Sequence, residues 1–197
     1  WKLCTGDPSI IVAVVDEGVM YSHEDLSANM WVNEAELDGQ TGVDDDGNGY
    51  TDDVYGYNFV INSADVNAHS HGTHVAGVIA AQNDNGGIGS IAGGTPDKPG
   101  VKIMSCQIFG DPDKRSYPTE DAFRYAADNG ALICQCSYGY SYSTGSRDEM
   151  EAMRQWFMNS SEKAAIDYFI ANAGKNDPDS PIEGKVVIFD VDVVGGV

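Results

Sequence analysis

An uninterrupted aliphatic run at residues 10–15, Ile-Ile-Val-Ala-Val-Val, constrains the fold of this chain more than any other feature. It is rich in β-branched side chains and shows no polar alternation, which is typical of a strand buried on both faces of a parallel sheet. Such a strand needs helices packed on both sides. The run ends in Asp16, and active-site residues collect at the carboxyl ends of strands in open α/β sheets. We therefore expect Asp16 to lie at a functional site.

Strand-like and helix-like segments alternate along the rest of the chain. Apolar runs predict strands at residues 10–15, 101–107, 131–136 and 185–189. Helical periodicity and end signals predict helices at residues 71–81, 119–129, 146–158 and 161–173. Within the third helix, an apolar stripe at helical spacing predicts a core-facing side made of Met150, Met153, Trp156 and Phe157. The alternation predicts an α/β fold, a doubly wound parallel sheet with helices on both faces, as a single domain over residues 1–197.

A second informative segment, residues 71–77, reads His-Gly-Thr-His-Val-Ala-Gly. Its small residues let other elements approach the helix backbone closely, and the pKa of a histidine suits general base catalysis near neutrality. His71 and His74 are three residues apart on one helix and could instead be zinc ligands, although the His-Glu-x-x-His pattern is absent. Two purely structural histidines are the other alternative.

Together these segments resemble the subtilisin-like serine peptidases, or subtilases. The likeness lies in the strand that ends in Asp-Glu-Gly at residues 16–18, in the block Ser-His-Gly-Thr-His-Val-Ala-Gly at residues 70–77, and in the Ser-Tyr-Gly edge at residues 137–139. Glu17 departs from the family pattern, which usually has Ser or Thr at that place. The resemblance covers residues 1 to about 189 and corresponds to the N-terminal two thirds of a subtilase catalytic domain.

The resemblance implies a role for each matched residue. Asp16 and His71 would be catalytic and would act with a serine in acyl transfer. The carboxylate of Asp16 would then lie within hydrogen-bonding reach of a ring nitrogen of His71, whereas His74 would be buried and would not pair with Asp16. The substrate, a peptide or protein, would be bound along an edge that consists of Ser137, Tyr138 and Gly139. Residues 108–110 would pair with the same extended peptide as an added strand.

The nucleophile that this mechanism requires is missing from the matched pattern. No Gly-Thr-Ser-x-Ala-like segment occurs in the 197 residues, and the last predicted strand runs into residues 190–197 without the Asn of an oxyanion turn. Residues 171–176 have a superficially similar sequence with an Asn, but we interpret them as the end of a helix rather than as the oxyanion turn. We therefore expect a fragment of a serine endopeptidase that is inactive alone and self-associates through residues 185–197. The alternatives are a non-catalytic, calcium-stabilised binding or assembly module and a metallohydrolase.

An acidic loop at residues 44–53 reads Asp-Asp-Asp-Gly-Asn-Gly-Tyr-Thr-Asp-Asp. Oxygen ligands at alternate positions with a glycine at the sixth are the arrangement that calcium requires in a loop. The predicted ligands are the side chains of Asp44, Asp46, Asn48 and Asp52 and the backbone carbonyl of Tyr50. The twelfth position is Tyr55, so the bidentate glutamate of a helix-loop-helix site is absent, and a plain acidic turn is the alternative.

Composition limits the partners and the compartment. With 31 acidic and 11 basic residues the formal net charge is −20, which disfavours binding to nucleic acids and to anionic membranes. No apolar run reaches the length of a membrane span. We expect a secreted or cell-envelope (extracytoplasmic) protein. Because a core of this size does not need disulfides, we expect free thiols at Cys4, Cys106, Cys134 and Cys136.

Overall fold

The computed structural model describes residues 4–110, 117–139, 146–174 and 185–189. The strands are β1 (Ile11–Asp16), β2 (Gly56–Asn58), β3 (Gly94–Thr95), β4 (Lys98–Pro99), β5 (Lys102–Gln107), β6 (Ile133–Cys136) and β7 (Val186–Phe189). The helices are α1 (Glu34–Leu37), α2 (Ser70–Ala80), α3 (Thr119–Asp128), α4 (Arg147–Met158) and α5 (Ser161–Asn172), with a 3₁₀ turn at Ser27–Asn29. The eight predicted segments are all present, and their bounds differ from the predicted ones by two residues at most.

Five of the strands form one parallel sheet in the order β2-β5-β1-β6-β7. The predicted central strand, β1, is the middle one, with Val14 opposite Ser105 of β5 and Ala13 opposite Cys134 of β6. Its side chains alternate between two apolar clusters. Ala13 and Val15 pack with residues of α3 and α5, whereas Val12 and Val14 pack with residues of α2. The predicted α/β architecture with helices on both faces is confirmed.

Two small strand pairings were not predicted. β2 is a three-residue edge strand beside β5, and β3 and β4 form a short antiparallel pair. Gly56 explains why β2 can approach β5, since a Cβ there would lie 2.0 Å from the carbonyl oxygen of Ser105. Its φ of 120° is also one that residues with a side chain rarely adopt. A strand of three residues carries too few side chains for its period to be recognised in the sequence.

The apolar stripe predicted on the third helix does not face the core. No residue of α4 is buried, and Met150 and Trp156 are 48% and 54% exposed. α4 packs against α5, which lies between it and the sheet, so only Phe157 of the stripe is among the side chains that contact the core. The predicted helical period of α4 is therefore correct, but the prediction that its apolar stripe faces the core is wrong.

The four cysteines are free, as predicted. Cys4 is exposed, whereas Cys106, Cys134 and Cys136 are buried among apolar side chains. β1 separates the strand of Cys106 from that of the other two, and two strand spacings of about 4.8 Å exceed the reach of a disulfide. Burial raises the pKa of Cys136 to about 12, so this thiol stays protonated at neutral pH. In the described part of the chain no helix is both long and apolar enough to cross a membrane.

Candidate active site

Asp16 is the last residue of β1, and its side chain is 1% exposed. Oδ1 accepts a hydrogen bond from the backbone N–H of Glu17 at 2.6 Å and lies 2.7 Å from Nδ1 of His71. Oδ2 is buried and has no hydrogen-bond partner among the residues that the structure describes. The contact predicted between Asp16 and His71 is thus confirmed.

His71 reaches Asp16 because the first turn of α2 abuts the end of β1. Gly72 permits this approach, since a Cβ at that position would lie 2.2 Å from the carbonyl oxygen of Glu17. The His71 side chain remains 55% exposed. An ionised Asp16 can only accept a hydrogen bond, so Nδ1 of His71 carries the proton of this contact. The second ring nitrogen, Nε2, is then the acceptor that can take a proton from another group.

Burial sets the protonation of Asp16. Removal of the carboxylate from water raises its pKa above the ordinary value, and the hydrogen bonds from His71 and from the Glu17 backbone oppose that rise without cancelling it. The folded state consequently holds the Asp16 proton more tightly than the unfolded state does. The negative charge that orients His71 is maintained at a cost in stability.

His74 was expected to be buried, and this expectation was wrong. The buried side of α2 consists of Gly72, Ala76, Gly77 and Ala80, which turns His74 to the exposed side of the helix. There it lines a groove of about 420 Å³ together with residues that include Met20 and His23. Within the described ranges, no group of side chains with metal-binding geometry contains a histidine. The zinc alternative for His71 and His74 therefore has no support in the geometry.

The predicted substrate edge, residues 137–139, follows β6, which is the neighbour of β1. The ring of Tyr138 packs edge-on against Phe109 at 5.2 Å and against Phe189 at 5.8 Å between centroids. Ser137 Oγ accepts a hydrogen bond from Gln135 at 3.1 Å, and Gly139 is exposed. The contact between Tyr138 and Phe109 brings this edge next to residues 108–110, the other segment expected to bind peptide.

In the acidic loop the structure brings together a different set of carboxylates from the one predicted. Glu36, Asp46 and Asp53 each place an oxygen within 4.8 Å of the others, and Glu36 and Asp53 are buried. Asp53 accepts hydrogen bonds from Asn33, Asn48 and Tyr125, and burial raises its pKa. All of these donors are neutral, and no Lys or Arg in the described ranges forms an ion pair with the cluster. Three carboxylates with this environment fit a divalent cation that prefers oxygen ligands.

The other predicted calcium ligands have different contacts. The carboxylate of Asp44 accepts the backbone N–H groups of Gly47, Asn48 and Gly49, so it closes the turn. Asp52 has a left-handed φ of 57° and binds the N–H of Gly42 at 2.9 Å from each oxygen. The amide of Asn48 donates to Asp46 and Asp53. The ring of Tyr50 packs on Tyr125. Of the five predicted ligands, Asp46 alone belongs to the cluster of Glu36, Asp46 and Asp53, and the five-residue set itself stays a prediction.

Comparison with known proteins gives a consistent result. The sequence model of the subtilase family matches residues 7–187. Subtilisin-like protease 1 of Plasmodium berghei (strain Anka) is 42% identical over 101 residues, 51% of this chain and 16% of that protein. Fervidolysin of Fervidobacterium pennivorans is 31% identical over 212 residues, 100% of this chain and 25% of that protein. The chain thus spans a quarter or less of the length of these two relatives.

The crystal structure of fervidolysin superposes on this chain with a TM-score of 0.54 and 26% identity. The superposition covers 96% of this chain and 22% of the fervidolysin chain. The nisin leader peptidase NisP from Lactococcus lactis gives a TM-score of 0.50 at 24% identity, over 95% of this chain and 45% of its own, and supports the fold alone.

Asp16→Asn should stabilise the folded chain at neutral pH. Because the folded-state pKa of Asp16 is raised, ionisation costs stability as the pH rises through that pKa, and the amide removes the cost. We expect the unfolding temperature at pH 7 to rise by about 2–4 °C, the response of a chain of this length to ~1 kcal/mol. The difference should shrink toward pH 3, where Asp16 is protonated in both states.

Circular dichroism melts between pH 3 and pH 8 measure this effect, with the exposed Asp97→Asn as the matched control. A variant that melts below the wild type at pH 7 would show that the hydrogen bonds of the carboxylate outweigh its burial.

Proposed function

The chain belongs to the subtilase family, and on that premise we propose that Asp16 and His71 are two of the three catalytic groups of a serine endopeptidase. The observation that carries the proposal is the 2.7 Å contact of His71 Nδ1 with a carboxylate that is 1% exposed. Hydrolysis of a peptide bond by a serine nucleophile needs this arrangement, in which a buried carboxylate contacts Nδ1 of an exposed imidazole and leaves Nε2 to accept the serine proton.

The proposed reaction passes one proton through His71. Nε2 accepts the proton of a serine hydroxyl while the serine oxygen attacks the carbonyl carbon of the scissile peptide bond. The imidazolium that forms is stabilised by Asp16, which stays ionised. His71 then gives the proton to the leaving amine, and water hydrolyses the acyl-enzyme by the same route in reverse.

The substrate proposed here is an extended peptide held between two backbone segments. Residues 137–139 follow β6 and residues 108–110 follow β5, so both lie at the edge of the sheet where Asp16 lies. A peptide between them would add a strand through main-chain hydrogen bonds. We also propose an extracytoplasmic location, supported by the relative from Natrialba magadii, named a halolysin-like extracellular serine protease, which is 34% identical over 146 residues.

Calcium is the proposed structural cofactor, and Glu36, Asp46 and Asp53 are the residues that would hold it. The fit rests on the donor set, since three carboxylates converge and accept only from neutral groups. A bound cation would compensate the negative charge of the Asp53 carboxylate, which burial disfavours. The role is structural, because the loop joins α1 to β2.

Self-association is proposed for the exposed strand at the end of the sheet. β7 pairs with β6 on one side only among the described residues, and Val186 and Ile188 are 47% and 44% exposed. An apolar edge strand favours pairing with another chain, and a two-fold dimer is the simplest assembly. Residues 190–197, which were expected to contribute, lie outside the described residues.

The activity is tested in two chains. The 197-residue chain should not be labelled by a fluorophosphonate, because its sequence has no Gly-Thr-Ser-x-Ala-like segment. A fervidolysin whose matching segment is replaced by residues 7–187 of this chain should be labelled and should cleave casein. Asp16→Asn in that chimera should lower kcat by on the order of 10⁴, as expected for a triad aspartate.

Labelling of the isolated chain that His71→Ala abolishes would mean that another serine serves as the nucleophile. A folded chimera that resists labelling would contradict the catalytic proposal and favour a calcium-stabilised binding module.

Calcium removal should lower the unfolding temperature. A ligand present at 100 times its Kd stabilises the native state by about 2.7 kcal/mol, which at this length is a shift of about 5–10 °C. Asp53→Asn should abolish the difference between melts with EDTA and with calcium, whereas Asp52→Asn should retain it. A response that is lost in Asp52→Asn and kept in Asp53→Asn would restore the ligand set predicted from the loop spacing.

Sedimentation equilibrium should show a dimer that Ile188→Lys converts to a monomer, because a lysine in β7 disfavours pairing of apolar edges. Ile91→Lys is the matched control, since Ile91 is 70% exposed and does not belong to β7. A monomeric wild type, or equal dissociation of both variants, would contradict the β7 contact.

A further inference from the structure

The sequence contains three Asn-Gly pairs, at residues 48–49, 85–86 and 129–130. Asparagine is a thermolabile residue, because the backbone nitrogen of the next residue can attack its side-chain amide. A following glycine permits this attack most readily, since it has no side chain to shield that nitrogen. The local sequence is therefore similarly reactive at three places, and the fold decides which of them reacts.

The pair at residues 85–86 lies in the loop that follows α2, and both residues are exposed. Among the described residues, the N–H of Gly86 has no hydrogen-bond partner. A Cβ built on Gly86 would have no atom within 4 Å beyond its chain neighbours. The attacking nitrogen is thus accessible and is not held by another contact.

The side-chain amide of Asn85 is held in position and polarised. Its Oδ1 accepts the N–H of Gly87 at 3.0 Å, and its Nδ2 donates to Oδ1 of Asp25 at 2.9 Å. A hydrogen bond to the amide oxygen stabilises the negative charge that develops there when a nucleophile adds to the carbonyl carbon. A contact that the loop already has therefore favours attack on Cγ of Asn85.

The other two pairs have glycine nitrogens that are engaged. The N–H of Gly49 donates to Oδ2 of Asp44 at 2.9 Å, and the N–H of Gly130 donates to the carbonyl of Ala127 at 3.4 Å. The amide oxygen of Asn48 also accepts a backbone N–H, so the state of the glycine nitrogen is what distinguishes the pairs. At both places a hydrogen bond must open before the nitrogen can reach the side chain, which protects them in the folded state.

We propose that Asn85 is a modification site, at which water converts the asparagine to aspartate and isoaspartate in the folded chain. Gly86 N loses its proton to hydroxide and bonds to Cγ of Asn85. The Cγ–Nδ2 bond breaks, and Nδ2 takes a proton from water and leaves as ammonia. Water then opens the succinimide ring at either carbonyl, so the net change is the hydrolysis of an amide, with no oxidation or reduction. The inference does not depend on the proposed peptidase activity.

The product changes the contact with Asp25. A carboxylate at residue 85 cannot donate a hydrogen bond, so a favourable contact becomes a pair of like charges. Asp25 is 8% exposed, and water therefore screens the repulsion only weakly. Asp25 also binds the N–H of Ile88 through its carboxylate and the N–H of Gln82 through its carbonyl. Conversion should loosen this loop at the C-terminal end of α2, the helix that carries His71.

The test compares the three pairs in the folded and in the guanidinium-unfolded 197-residue chain, both incubated at pH 8 and 37 °C. Digestion with endoproteinase Asp-N separates the pairs into residues 84–96, 46–51 and 128–147. Mass spectrometry measures the conversion of amide to acid, and methylation by isoaspartyl methyltransferase detects isoaspartate. The three rates should be similar in the unfolded chain. Folding should leave the rate at Asn85 within a factor of about two and slow Asn48 and Asn129 about fivefold, the factor for opening one ordinary hydrogen bond.

Equal slowing of all three pairs on folding, or an absence of isoaspartate at residue 85, would overturn the proposal. Asn85→Gln should remove the isoaspartate signal from residues 84–96, because the longer side chain closes a ring much more slowly.

Asn85→Asp reproduces the charge of the product and should lower the unfolding temperature by about 5 °C, since a hydrogen bond to a charged group is lost. Asn62→Asp is the matched control, because Asn62 is exposed and its side chain has no hydrogen bond among the described residues. Equal unfolding temperatures of the two variants would refute the effect of conversion on the loop.

Discussion

The buried carboxylate of Asp16 is the group on which the rest of the site depends. Taking a carboxylate out of water costs several kcal/mol, and here only Oδ1 has hydrogen-bond partners among the described residues. The fold tolerates that cost because β1 is the middle strand and is held on both sides by parallel neighbours. An edge strand could twist or shift to bring the carboxylate back to water. The central position of β1 thus keeps an unfavourable charge in place, and His71 is oriented by it.

The segments around Asp16 are held by hydrogen bonds to β5 as well as by hydrogen bonds to each other. Gln107, 1% exposed at the end of β5, accepts the N–H of Asn67 at 3.0 Å and donates to the carbonyl of Phe109 at 2.9 Å. One amide therefore links the segment that leads into α2 with the segment proposed to bind peptide. Ser105, two residues earlier, accepts the N–H of Val19 and ties down the turn after Glu17. The geometry of the cleft consequently depends in part on a strand that carries no proposed catalytic group.

The sequence was informative where a local pattern has one structural solution. The aliphatic run could only be a doubly buried strand, and the histidine block matched a motif whose partner, Asp16, was recognisable at a strand end. The sequence was less informative about which side of a helix is buried, because that depends on which other element packs against the helix. His74 and the stripe on α4 have the right helical period, but period alone does not say which surface a second element occupies.

The carboxylate cluster shows the same limit, because Glu36 comes from α1, outside the loop whose spacing suggested the ligands. A Glu just upstream of an acidic loop is a signal that could have indicated it.

The acidic cluster and the proposed catalytic pair are attached to the same sheet from different sides, which separates their proposed functions. Tyr125 of α3 donates to Asp53 at 2.6 Å and packs edge-on against Tyr50 and Phe59, so the cluster is anchored to the helix layer that covers Ala13 and Val15. His71 belongs to α2, on the opposite face of the sheet. A change in charge at Asp53 therefore reaches His71 through the strands of the sheet, of which β1, β2 and β5 are fixed by backbone pairing. Loss of a cation should then weaken the stability of the fold well before it alters the 2.7 Å contact between Asp16 and His71.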